Sequence, residues 1–435
     1  MRCTLREAGL PAGRAVFLGA ALPFRNFFGT IQTERHKKGG GIVPDLDSSI
    51  RLLGAYWYYA AAAAGIAVLL ALYGAAYFRA LKPRAGTLEW IALYDRPPLA
   101  MAGRWYRLER ADAVPLPVCC LLAAAAWGYA AWSSYQAVYP DVLDVPEALL
   151  QLGIYYGLLP ALTAAGAYCL LKGLFGSTSV TMLGVLILSA DLTAEPVSML
   201  ATTLLLLGLL RFLTAGEQQT FGESCLPLLL TSVLIPIGCY FQPALLIPSA
   251  AVLLLLLAGC TIRFVRLGEG WFLKSLLTAV LPAAVTTLLL HIPAAVAAGL
   301  PFPQMLGSGA FYRSLAQRAA AAVSGLFHAG LWNVLPAAAY DWPLLICGLC
   351  AAAAAAAGLL RRRDYRGLML PVWFLALAAM WVLSGLYAMP LACVLCLCYV
   401  WADLYRREKY ILAGLGAGCL LVLLLALYIL SWIFN

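Results

Sequence analysis

An all-α, polytopic transmembrane bundle of about 11–13 spans is the fold this sequence predicts, each span needing roughly 20 apolar residues. Three observations predict it. Of 435 residues, 63% are hydrophobic and 11% charged, with a mean hydropathy of +0.87; a soluble domain carries roughly a quarter charged residues. The apolar residues come in runs long enough to cross a bilayer. The charges between those runs alternate, basic clusters on one side and acids on the other. The net charge of +9 lies in short clusters between spans, so it marks topology and excludes a nucleic-acid-binding surface.

The spans are expected at 54–78, 113–132, 149–171, 177–190, 196–214, 224–240, 243–262, 275–298, 342–360, 368–386, 388–405 and 410–434. The span 177–190 is short, and 388–405 follows a tight turn at Met389-Pro390. Pro160, Pro236, Pro248, Pro282 and Pro293 are expected to kink their helices around an interior cavity. Arg104, Arg107 and Arg110 precede the second span, and Lys172 follows the third. Arg211, Arg263, Arg266, Lys274, the run Arg361–Arg363 and Arg406, Arg407 and Lys409 all fall on that same side. Basic residues are retained on the cytoplasmic side, so the opposite side is external. It receives 133–148, 191–195, 241–242 and 299–341, with Asp141, Asp144, Glu147, Asp191, Glu195 and Asp341.

Three segments follow. Residues 1–50 are basic and break the alternation, reading as a poor extra span at 15–30, a peripheral segment or a misassigned start. Residues 51–108 hold an extra span and a basic cytoplasmic loop, and 109–435 form the main transmembrane domain. Cys347-x-x-Cys350 and Cys393-x-x-Cys396 have metal-like spacing but lie among Leu, Ala and Val, which reads as packing.

From about Glu109 onward several strings, taken in order, resemble one family. LERADAVPLPV is similar to a charged approach to a first helix, and YPDVLDVPEALL to an acidic external loop. GLLPALTAAGAYCLLKGLFGSTSVTMLGVLILSADL resembles a helix, a Lys-containing cytoplasmic elbow and the next helix. TAEPVSMLATTLLLLGLLRFL and RRRDYRGLMLPVWFLALAAMWVL are similar to later elements. The chain thereby resembles the GT-C fold of integral-membrane glycosyltransferases, in particular the bacterial protein O-mannosyltransferase-like group. It departs from that group in its first external loop. The adjacent Asp-Glu pair is replaced by Asp141, Asp144 and Glu147, separated by apolar residues, and the His-Pro-Pro-Leu segment is missing.

The resemblance implies transfer of a sugar from a polyprenyl-phosphate donor to a protein, lipid or cell-wall acceptor at the external face of a bacterial plasma membrane. Such transfer needs a general base for the acceptor hydroxyl and positive charge for the leaving phosphate. Asp141 and Asp144 are the candidate bases. Glu147, Asp191 and Glu195 are candidates to orient the acceptor, and Asp191 and Glu195 to hold a divalent metal ion, the one candidate cofactor. In 299–341, FYRSLAQRAAAAVSGLFHAG reads as an interfacial amphipathic helix among membrane lipids, so Arg313, Arg318 and His328 are candidate phosphate ligands. Each has a plainer reading: Glu195-Pro196 as a helix cap, the loop acids as a hydrated turn, the arginines as lipid-headgroup contacts. Two other functions stay open. A catalytically inactive GT-C relative fits the missing Asp-Glu pair, and a transporter or flippase of lipid-linked substrates fits any polytopic bundle.

Overall fold

The computed structural model describes residues 71–76, 110–138, 146–192, 194–214, 226–267, 278–290, 335–362 and 366–434, with a few single positions besides. The segment 1–50 and Pro293 lie outside the described residues. All regular structure among the described residues is helical. A 3-10 turn, Arg110–Asp112, leads into α1 (Pro115–Val138). α2 (Pro146–Leu152) runs through a π-helical turn, Gly153–Leu158, into α3 (Leu159–Phe175). Then come α4 (Thr178–Ala190), α5 (Pro196–Thr214), α6 (Leu226–Phe241), α7 (Leu246–Leu267) and α8 (Thr278–Leu290). The last four are α9 (Leu335–Arg362), α10 (Arg366–Ser384), α11 (Met389–Arg406) and α12 (Tyr410–Phe434).

These helices fall where the apolar runs predict them. Among the described residues, five are long and apolar enough to cross a membrane by length and composition, within α1, α2–α3, α9, α11 and α12. This is an all-helical chain with the long apolar helices of an integral membrane protein. It divides into two compact units, one of residues 1–87, 129–149 and 404–435, the other of 88–128 and 150–403.

In the first unit, α12 packs its Ala413–Ala417 face inward, with Gly416 against the ring of Tyr73. In the second, α5 packs on α3, α6 and α7, and α10 on α9 and α7. α11 is buried along almost its whole length. Small residues let neighbouring backbones approach it: Gly184 of α4 faces Cys398, and Gly348 of α9 faces Cys393. Lipid tails are as apolar as leucine, so helix association within a bilayer depends on such close packing. The cysteines of the two Cys-x-x-Cys strings are free thiols inside α9 and α11.

Local chemistry sets the breaks. Pro160 has no N–H, so the helix cannot close its usual bond to the carbonyl of Tyr156. Immediately upstream the ladder widens, and the Leu159 N–H bonds to the Ile154 carbonyl five residues back. Pro236, Pro343 and Pro371 lie inside α6, α9 and α10, while Pro248 sits in the first turn of α7, where no N–H is needed. α3 ends at Gly176, left-handed at φ 73°, whose N–H caps the Lys172 carbonyl at 2.8 Å. Ser177 then caps α4 by accepting from the Val180 N–H at 3.4 Å.

Glycine substitutions separate packing from propensity. A Cβ on Gly208 of α5 would collide with the Thr231 side chain of α6, whereas one on Gly128 of α1 meets open space. Gly208→Ala is expected to destabilise by about 1–3 kcal/mol through overpacking. Gly128→Ala is expected to be neutral or stabilising by up to about 1 kcal/mol. Thermal unfolding of the two variants in detergent checks the opposite signs.

Candidate functional site

Two polar clusters occupy opposite ends of α4 in the larger unit. Asp112 and Lys172 form the first, at the end where α3 turns into α4. Both are buried, at 1% and 4% exposure, with Lys172 Nζ 3.1 Å from one Asp112 carboxylate oxygen and 3.3 Å from the other. Tyr168 donates to the carboxylate at 2.7 Å and Thr178 at 2.9 Å, while Lys172 donates to the Thr178 hydroxyl at 2.6 Å. A buried charge is tolerated only when paired and hydrogen-bonded. Here both charges meet that condition, drawn from the turn before α1, the end of α3 and the start of α4.

The second cluster lies at the other end of α4. Asp191 ends that helix and is buried at 3% exposure. Four residues on, Glu195 accepts from the Val197 N–H at 3.1 Å and the Ser198 N–H at 2.5 Å, capping α5. The Tyr155 hydroxyl, from the π-helical turn, donates to the same carboxylate at 2.6 Å. The backbone N–H of Glu195 reaches across to the Tyr387 carbonyl at 2.9 Å.

That bond brings in the turn between α10 and α11. α10 ends at Ser384, whose hydroxyl accepts from the Leu386 N–H at 3.3 Å, and left-handed Gly385 caps the Trp381 carbonyl at 2.8 Å. Tyr387 is buried there, stacked edge-on against Trp381 at 4.8 Å between ring centres. Burial first, then the charges of Asp341 and Asp191, hold its phenol well above the usual tyrosine range. Beside it the Trp381 indole N–H is buried without a hydrogen-bond partner. Asp341, in the first third of α9, is buried at 3% exposure.

The predicted site residues are distributed unevenly over this geometry. Asp191 joins the second cluster. Glu195 stands beside it as a helix cap, with both carboxylate oxygens committed to backbone and Tyr155. Asp141, Asp144, Arg318 and His328 lie outside the described residues, as does the side chain of Glu147 in α2. Arg313 is exposed, its Nε donating to the Gly309 carbonyl at 3.3 Å within its own helical turn. Sequence reasoning placed Asp341 on the same side as Asp191 without joining them, and passed over Tyr155, Trp381 and Tyr387. No local signal distinguishes those aromatics from interface anchors; only the turn at Met389-Pro390 hinted that chain direction reverses there.

A hollow of about 20 Å³ lies between α1, α3 and the ends of α4 and α5, lined by Trp127, Pro160, Thr163, Ser189, Pro196 and Met199. It has room for a water-sized group. Among the described residues no three His, Cys, Asp or Glu side chains gather as a metal-holding group. Compared with known protein families, curated proteins and solved structures, the chain matches none. It is therefore assigned to no family.

The two clusters differ in what substitution does. Lys172→Met strands the buried Asp112 charge and is expected to cost about 3–5 kcal/mol. The double variant Asp112→Asn, Lys172→Met is expected to recover more than half of that loss. Glu195→Ala removes one cap and is expected to cost about 1 kcal/mol. Thermal unfolding of the four proteins in one detergent checks the order.

Proposed function

We propose that the chain is an integral-membrane glycosyltransferase that moves a sugar from a polyprenyl-phosphate donor to an acceptor at the external membrane face. The observation that carries this reading is the gathering of Asp191 and Asp341 about Tyr387 at the acid-bearing end of α4. Carboxylates held in a poorly hydrated corner of a helical bundle interact strongly with charge that develops there. Donors of this class carry a phosphate at the membrane boundary, where acid-held cations or arginines neutralise it. In this reading Asp141 or Asp144 takes the acceptor proton, Asp191 orients the acceptor or holds a metal ion, and Arg313, Arg318 and His328 bind the leaving phosphate. Glu195 positions the turn that carries Asp191. The side of the membrane follows from the basic clusters in the sequence.

The depth of burial favours a second reading. Acids inside a membrane bundle are costly, and they mark ion and solute pathways in transporters. Asp191 and Asp341, each 3% exposed, also suit a transporter or flippase of lipid-linked substrates.

One comparison separates the readings. Purified protein is assayed for sugar transfer from several polyprenyl-phosphate sugars, wild type beside Asp141→Asn, Asp144→Asn and Asp191→Asn. Transfer is expected in the wild type, with at least a hundredfold loss in one of the two loop variants, the scale of a removed general base. Asp191→Asn is expected to lose about tenfold or more through poorer orientation of the acceptor or loss of a metal ligand. Donor binding without transfer in every protein points to an inactive relative. Movement of labelled donor across proteoliposomes, unaccompanied by transfer, points to the flippase.

A further inference from the structure

We propose that the turn between α11 and α12, with the exposed stripe of α12 beside it, binds one anionic glycerophospholipid. Arg406 and Lys409 hold its phosphate, and Ile411, Leu415 and Val422 line its acyl chain. The site lies wholly within residues 404–435 of the first compact unit and does not depend on the proposed function.

The turn is built first. Arg406, Arg407 and Lys409 put three cations, and Glu408 one acid, into four consecutive residues. The Lys409 N–H reaches the Leu404 carbonyl at 3.0 Å and the Glu408 N–H reaches the Tyr405 carbonyl at 3.0 Å, the paired bonds of a Schellman end. Glu408 takes the left-handed position, at φ 61°, where glycine is usual. Arg406 and Lys409 are exposed on this reversal. Tyr410 follows, half-exposed and edge-on to Tyr405 at 5.1 Å between ring centres. Tyrosines of membrane helices sit at headgroup level, so these cations share the depth of lipid phosphates.

The stripe begins where the turn ends. Ala413, Ala417, Leu420 and Leu424 of α12 are buried, while Ile411, Leu415 and Val422 are exposed, Ile411 at 80%. Among the exposed side chains, a Cβ on Gly414 or Gly418 would meet nothing within 4 Å, so the two glycines leave a shallow notch. From Ile411 to Val422 the stripe runs roughly 16 Å at about 1.5 Å per residue. That is close to half of a hydrocarbon core about 30 Å thick, the depth of one leaflet. An acyl chain from the leaflet beside the turn matches it.

Charge decides the occupant. Basic residues beside a membrane surface attract anionic lipid, and the turn carries more cations than acids. The rival occupant of an open glycine notch is a second copy of the chain, since small residues let membrane helices approach closely. Copies in one bilayer share one orientation, so pairing along this stripe would set Arg406 and Lys409 beside their own counterparts. Like charges brought together there repel, which favours the lipid.

The test uses the full chain, delipidated in detergent. Phosphatidylglycerol and phosphatidylcholine of identical acyl chains are titrated in, and bound lipid is counted by native mass spectrometry. One phosphatidylglycerol is expected to bind ahead of phosphatidylcholine. Arg406→Gln and Lys409→Gln are each expected to weaken it about fivefold. Arg361→Gln with Arg362→Gln, at the basic end of α9, is expected to leave it unchanged. Gly414→Leu fills the notch and is expected to weaken both lipids alike; its added atoms start in open space, so the fold is retained. Equal affinity for the two lipids, or affinity indifferent to Arg406 and Lys409, overturns the inference. So does a wild-type dimer that Gly414→Leu dissolves, which gives the face to a second copy.

Discussion

Membrane thickness against the length of α4 is the constraint from which the larger unit is built. Thirteen residues at about 1.5 Å each give a helix of about 20 Å, short of a hydrocarbon core about 30 Å thick. Whatever caps such a helix is carried to a depth where water is scarce. At one end, beside the Ser177 cap, stand Asp112, Lys172, Thr178 and Tyr168, which satisfy one another through four short contacts. At the other end stand Asp191 and its neighbours. A longer α4 would place both ends in water and need neither arrangement.

The ion pair is not a gratuitous stabiliser. Two charges taken from water cost more than their attraction returns unless the remaining lone pairs and protons are also satisfied, and a pair of apolar residues in the same place would cost less. What the pair supplies is register. Asp112 comes from the turn before α1, Lys172 from the end of α3, and Thr178 from the first turn of α4, so a sliding of any one helix breaks a bond to the other two. The Gly176–Ser177 elbow holds the α3–α4 reversal tightly enough for Lys172 and Thr178 to share one carboxylate.

Much of this was legible in the sequence, and the illegible part has a physical cause. Helix positions follow from apolar runs punctuated by proline and glycine, because an unbonded backbone cannot stand in lipid. The α5 cap was readable as well, since Glu195-Pro196 puts an acid at a helix start. Lys172 shows the limit. By the charge rule it reads as a cytoplasmic marker, yet its ammonium is buried against an aspartate sixty residues earlier in the chain. Pairing at that separation leaves no trace in local composition. Asp341 and Asp191 show it again: their common side was apparent from alternation, but not that α9 and the α10–α11 turn would bring them to one hydroxyl.

The backbone bond from Glu195 to the Tyr387 carbonyl joins these levels. It ties the turn that follows α4 to the turn that precedes α11, and α11 is the helix that α4 and α9 both pack against through glycine. Displacing the α4–α5 turn therefore moves Asp191 and the Tyr387 ring together, while Asp341 stays with α9. α9 meets α11 through Gly348 and Cys393, and α4 meets it through Gly184 and Cys398, so both acid-bearing helices approach the same buried helix closely. A methyl group added at Gly348 would collide with Cys393 and push α9 from α11, a shift carried to Asp341 two turns away on the same helix.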